Sequence, residues 1–207
     1  MARVRMTTLA LTSPYLGPRP FDDDDADRAR FFARDAEADE IVALILGHTL
    51  TVVYAQSGAG KTSIFNAAVL PRLRSEGFAT LPLTRVSGEI PDDLDAALGL
   101  NPYILNTITG LAPDAPASDL AAHSLGDYLA EAGGDSNAQV LVVDQFEEIF
   151  TQSTAEGHVD RNEFFSELAD AIASDPLLRV VLVLREEYIA QLEPYARFFA
   201  ERLRIRF

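Results

Sequence analysis

Residues Ala55–Thr62 read AQSGAGKT, and their setting narrows the possible folds more than any other feature of the chain. A short β-branched run, Leu50–Tyr54 (LTVVY), precedes them. A stretch with helical apolar spacing, Thr62–Ser75, follows. A glycine-rich turn that ends in Lys-Thr between a strand and a helix is the arrangement of a phosphate-binding loop. The backbone N–H groups of such a loop, here from Gly58 to Thr62, wrap phosphate oxygens, and the helix N-terminus adds its partial positive charge. Lys61 would reach the outer phosphates, and the Thr62 hydroxyl would hold Mg²⁺. Gln56, Ser57, Gly58, Ala59, Gly60, Lys61, Thr62 and Ser63 are therefore the candidate nucleotide-binding residues. Ala55 stands where the motif has its first glycine. A methyl group is tolerable there if the residue keeps a negative φ at the strand end.

The rest of the chain alternates in the same way. Helical spacing over Ala36–Leu46 precedes the first strand, and Pro71 should kink or end the helix after the loop. Strands are predicted at Ala79–Thr84, Val140–Val143 and Leu178–Leu184, with a last one beginning at Arg204–Phe207. Helices are predicted at Asp119–Ala132, Arg161–Ser174 and Tyr188–Arg202, and a turn at Gly133-Gly134-Asp135. The run Asp22–Asp25 reads as a solvated helix start. Apolar strands separated by helices imply a mainly parallel sheet covered on both faces. The expected fold is thus an α/β three-layer sandwich on a five-stranded, P-loop-type sheet. Its expected organisation is an N-terminal segment, 1–35, leading into the nucleotide pocket, and a core over 36–207.

Ligands of such sheets bind at the carboxyl ends of the strands. The segment VLVVDQFEEIF runs from strand into acid there. Asp144, at the strand end, is the second half of a phosphate-loop site and would hold Mg²⁺ together with Thr62. Glu147 and Glu148 follow, and hydrolysis needs a carboxylate to orient and deprotonate water. One of the two would serve and the other would be a helix start; the residues alone do not separate them, with Glu148 preferred. Arg185 closes the strand RVVLVLR at the same edge, where it could touch a third phosphate or pair with a nearby acid.

Composition excludes several classes. The 207 residues carry Asp+Glu 32 against Lys+Arg 17, a net charge of −15, which argues against a nucleic-acid-binding face. There is no cysteine, so disulfides and thiolate metal sites are impossible. His48, His123 and His158 are too scattered for a metal pair. No stretch approaches the ~18 apolar residues of a membrane span, and the N-terminus is no signal peptide, so a cytoplasmic location is expected.

In combination, PYLGPRPF (14–21), FFARDAE (31–37), AQSGAGKTS, VLVVDQFEEIF and VVLVLREEY resemble the novel STAND NTPases. These are bacterial signal-transduction ATPases related to the NACHT and NB-ARC switch domains. The resemblance implies that Arg34 helps form the adenine pocket, although Ala33 replaces that motif's usual glycine. It implies that Glu148 is the catalytic acid with Glu147 beside it, and that Arg185 is the sensor arginine. The stretch Asn101–Asn106 is similar to an insert that the family carries between the second strand and the next helix.

The resemblance also implies a helical lid and a winged-helix domain after the sheet, so a fragment is expected. The function it implies is a switch that binds ATP and ADP with Mg²⁺, in signalling that could include defence, and self-associates with nucleotide through further domains. An AAA-type engine that couples turnover to mechanical work is the alternative. Turnover rate separates the two, since a switch should hydrolyse slowly.

Overall fold

The computed structural model describes residues 34–88, 100–133, 138–151, 155–200, 203 and 207. The Asp22–Asp25 run, the first two resemblance motifs up to Ala33, and most of the predicted Gly133-Gly134-Asp135 turn lie outside these. Four strands form one sheet: β1 (Leu50–Ala55), β2 (Ala79–Thr80), β3 (Gln139–Val143) and β4 (Leu178–Arg185). All pairs are parallel and the order is β1-β4-β3-β2. The expected fifth strand is not formed among the described residues. Phe207 does bond across the open edge of β1, donating to Val52 O (2.9 Å) and accepting from Tyr54 N (2.9 Å). Residues 204–206 of the predicted last strand lie outside the described residues.

Both faces of the sheet are apolar because both are covered. In β3, Leu141 and Val143 join one core cluster, and Val140 and Val142 join the other. In β4, Val180, Leu182 and Leu184 face the first layer, and Val181 and Val183 face the second. This is the period-two alternation of a pleated strand, with apolar side chains on both sides. All four residues of Val140–Val143 are 0% exposed. Burial at this level stabilises by roughly 1.5–3 kcal/mol per large aliphatic side chain, as an upper bound.

One covering layer is α1 (Asp35–Gly47) and α2, which spans 61–75. The proline in α2 neither ends nor interrupts it. Lys61–Ile64 is α-helical, Phe65–Val69 is π-helical, and Leu70–Ser75 is α-helical again. Leu70 N donates to Phe65 O across the widened turn. Proline clashes with the carbonyl four residues back and donates nothing to it. A π turn just before Pro71 removes that demand, so the helix continues.

The other layer holds α3 (Pro102–Leu111), α4 (Ala117–Leu120), α5 (Leu125–Gly133) and α6 (Ala155–Ser174), with α7 (Ile189–Leu192) beyond β4. The single helix predicted over Asp119–Ala132 is two. Ser124 accepts from Asp127 N (3.1 Å) and donates to its carboxylate (2.7 Å), which starts α5 afresh. The stretch Asn101–Asn106 is the cap and first turn of α3: Asn101 Oδ1 accepts from the N–H groups of Tyr103 (3.1 Å) and Ile104 (3.3 Å). The predicted helix Tyr188–Arg202 is broken: a 3-10 turn Glu186–Tyr188 precedes α7, and another, Glu193–Phe198, carries Pro194. The predicted strand Ala79–Thr84 shortens to Ala79–Thr80 with an isolated bridge from Thr84 to Val143. Pro82 lies between them and has no N–H to give the ladder.

Candidate functional site

The loop after β1 turns on two glycines. Gly58 (φ 76°) and Gly60 (φ 78°) occupy the left-handed region that side chains disfavour. Ala55, by contrast, has no positive φ, so the missing first glycine of the motif costs nothing here. Gly60 caps α2, and Ile64 N donates to its carbonyl (2.9 Å). The Lys61 ammonium folds back onto the loop and donates to the carbonyls of Ala55 (2.9 Å) and Gln56 (3.0 Å). Ala59, Gly60, Lys61, Thr62 and Ser63 form the bend and first turn of the helix, and Gln56 and Ser57 lie exposed on its approach.

Arg34, just before α1, joins this loop from the other side. It donates to Ala59 O (2.7 Å) and pairs with Glu37 (Nε to Oε2, 2.7 Å). A Cβ at Gly60 would stand 3.1 Å from its guanidinium. The arginine therefore braces the loop through a charge-assisted bond, one turn from the helix N-terminus.

Asp144 arrives at the same edge at the end of β3. It is 3% exposed, its N–H bonds to Thr84 O (2.8 Å), and its Oδ2 accepts from Thr62 Oγ1 (2.6 Å). That last bond spans 82 positions of the chain and ties the loop to the strand end.

Directly after it, Gln145 takes a left-handed conformation (φ 54°). For a residue with a side chain this costs roughly 1–2 kcal/mol. The turn it makes leads into the 3-10 segment Phe146–Phe150, which sends the two glutamates to different neighbours. Glu147 is 6% exposed, and both its oxygens are engaged by Arg185: Nε to Oε1 at 3.0 Å and the backbone N–H to Oε2 at 3.2 Å. Glu148 is half-buried and accepts a hydrogen bond from the Ser87 hydroxyl. The Gln145 amide satisfies its surroundings when its nitrogen donates to Glu148 Oε1 (3.1 Å) and its oxygen accepts from Arg85 (3.2 Å).

Lys61, Thr62, Asp144, Glu148 and Arg185 thus gather at the carboxyl ends of β1, β3 and β4, and Arg34 abuts the loop. Ser87 and Arg85 escaped sequence reading, because their partners lie some sixty residues downstream. The only signal was a hydroxyl and a cation just beyond a predicted strand that should neighbour β3.

Comparison with known proteins agrees with this geometry. A family described as Novel STAND NTPase 1 matches residues 14–205. Among solved structures, a Walker-type ATPase of Pyrococcus abyssi superposes with a TM-score of 0.55 at 17% identity. The superposition covers 86% of this chain and 51% of that one, so this chain spans about half of the archaeal protein's length. At that identity the likeness speaks for the fold. No curated protein matches the sequence. The match across nearly the whole chain, on a parallel sheet with a phosphate-type loop at its carboxyl edge, places the chain in the novel STAND NTPase 1 family.

Proposed function

We propose that this NTPase domain binds ATP with Mg²⁺ at the edge shared by β1, β3 and β4 and hydrolyses it slowly, as the switch of a signalling protein. One observation carries the reading: the Thr62 hydroxyl meets the Asp144 carboxylate at 2.6 Å, joining the loop to the strand end. Hydroxyl and carboxylate are the hard oxygen donors that Mg²⁺ prefers. Among the described residues no cluster of three or more His, Asp or Glu could hold a metal unaided. Mg²⁺ sites that lean on substrate phosphates need no such cluster. When bound, the ion would neutralise charge on the phosphates; Thr62 and Asp144 would hold it.

Lys61 would exchange its two carbonyl partners for phosphate oxygens. Glu148 serves as the general base, because Glu147 is buried and ion-paired with Arg185, whereas Glu148 is half-buried and meets only neutral donors. Glu147 in turn fixes Arg185 at the β4 end, facing the nucleotide. Arg34 steadies the loop at the side assigned to the base of the nucleotide. Nucleotide-dependent self-association, a cytoplasmic setting and a role in defence belong to the same reading, supported by the family alone.

The test is nucleotide binding and single-turnover hydrolysis on the wild type and three variants. Lys61→Ala should weaken ATP on the order of a hundredfold, the loss of a charge-assisted contact. Glu148→Gln should bind ATP as the wild type does and lose about 10²- to 10⁴-fold in rate, as general-base removal does. Glu147→Gln should retain most of the rate. If the Glu147 variant alone is inactive, the two roles are reversed. Wild-type affinity in Lys61→Ala would sink the site.

A further inference from the structure

Glu148 is held from a part of the chain that no motif marks. After β2 the segment 84–88 begins beside the end of β3, where Thr84 pairs with Val143 in a parallel bridge. Helix α3 pins it from behind. Thr84, 2% exposed, donates its hydroxyl to Thr107 O (2.7 Å), and Asn106 Nδ2 donates to Val86 O (3.4 Å). At Gly110 the helix comes so close that a Cβ would lie 2.2 Å from Thr84 Oγ1. Val86 is fully buried in the core beneath. A segment so anchored presents Ser87 in a set place, and its hydroxyl donates to Glu148 Oε2. The neighbouring Arg85 orients the Gln145 amide that faces Glu148 Oε1. The Ser87 hydroxyl therefore holds one oxygen of the carboxylate, and the amide orientation that satisfies Gln145 brings its nitrogen to the other.

Each carboxylate oxygen has two lone pairs, so a donated hydrogen bond does not close it to water but does fix the direction in which it points. Hydrogen bonds donated to the charged form stabilise that form and so oppose proton uptake. We propose that Ser87 is a positioning residue that holds Glu148 in a restrained pose, and that the 84–88 segment, docked on α3, sets how readily the carboxylate turns to the attacking water. The proposal rests on Glu148 being the base. Ser87 itself touches neither nucleotide nor water in this role; it acts through Glu148. It also gives α3, and with it the Asn101–Asn106 stretch, a mechanical connection to the site: whatever moves α3 moves Ser87.

Hydrolysis and ATP affinity are to be measured for Ser87→Ala, Ser87→Thr and Glu148→Gln. Amide hydrogen exchange over 84–88 is to be followed in nucleotide-free wild type, Ser87→Ala, Glu148→Ala and the double variant. Ser87→Ala should raise kcat about three- to tenfold with KM within about twofold, roughly the effect of one hydrogen bond to a charged group partly offset by solvent. Ser87→Thr, which keeps the hydroxyl, should restore the wild-type rate. Exchange over 84–88 should quicken equally in the two single variants and no further in the double. An unchanged or lower kcat in Ser87→Ala, with Glu148→Gln inactive, overturns the proposal. So does exchange that neither single variant alters. Wild-type turnover in Glu148→Gln would instead remove the base assignment, a failure told apart because it lies in a different variant.

Discussion

The pair Glu147–Arg185 shows how one residue can be read two ways. Arg185 lies 46% exposed at its side chain, while Glu147 beneath it is 8% exposed. The glutamate accepts from the backbone N–H and the Nε of the arginine. A ligand shifts a switch only through its differential affinity for the two states. Lys61 and Thr62 would meet groups that ADP and ATP share, so discrimination between them must come from a residue such as Arg185. Arg185→Ala is expected to leave ADP affinity nearly unchanged and weaken an ATP analogue by about 1.5–3 kcal/mol, one charge-assisted hydrogen bond. A pair of binding isotherms on wild type and variant decides it. Equal losses for both nucleotides would mean that the arginine serves only to neutralise Glu147.

At the level of elements, two helices carry the site through local departures from ideal geometry. In α2 the π turn Phe65–Val69 lets the chain pass Pro71, so the helix that begins at the phosphate-type loop still buries Leu70 and Leu73 at its far end. In α3 the device is Gly110. Glycine inside a helix costs up to roughly 0.5–1 kcal/mol relative to alanine, less in a last turn such as that of Gly110, so on propensity alone Gly110→Ala should stabilise slightly. The space says otherwise, because the added methyl would sit 2.2 Å from the Thr84 hydroxyl oxygen. Forcing a side chain into such a contact costs about 1–3 kcal/mol. The variant should therefore be less stable by about 1 kcal/mol or more in urea unfolding. A higher midpoint would show that propensity wins and that the close docking of α3 on Thr84 is not needed.

Across the whole molecule the charge of −15 is unevenly felt. Glu167, half-buried on α6, lines a cavity of about 670 Å³ together with Asp127 and Asp170. Burial pushes its carboxyl above the usual value, and Glu163, Asp127 and Asp170 push it the same way, while the hydrogen bond from Leu125 N (2.8 Å) opposes them. A group raised on folding binds its proton more tightly in the native state. Its contribution to stability is then complete below the ordinary carboxylate value and is lost as pH rises through the raised one. At neutral pH the chain bears this penalty. Glu167→Gln, which can still accept from Leu125, should melt higher than wild type at pH 7, and the gain should vanish near pH 4. A gain that is the same at both pH values would assign the effect to packing and not to ionisation.

Much of this protein could be read from local pattern. The apolar runs at 50–54, 140–143 and 178–184 read as strands because they are short and rich in β-branched residues, and AQSGAGKT carries its own turn in Gly58 and Gly60. Asp144 and Arg185 could be placed at one edge because parallel strands end on the same side. Other decisions belonged to the tertiary structure. Propensity assigned Pro71 a break, and the packed face of α2 overrode it with a π turn. Position alone could not rank Glu147 against Glu148; the left-handed turn at Gln145 and the arrival of Arg185 from β4 gave them separate partners. Ser87 had no signal of its own, since its contact with Glu148 spans 61 positions of the chain. Periodicity is a property of neighbours along the chain, whereas a hydrogen bond between distant side chains is set by the packing that brings them together.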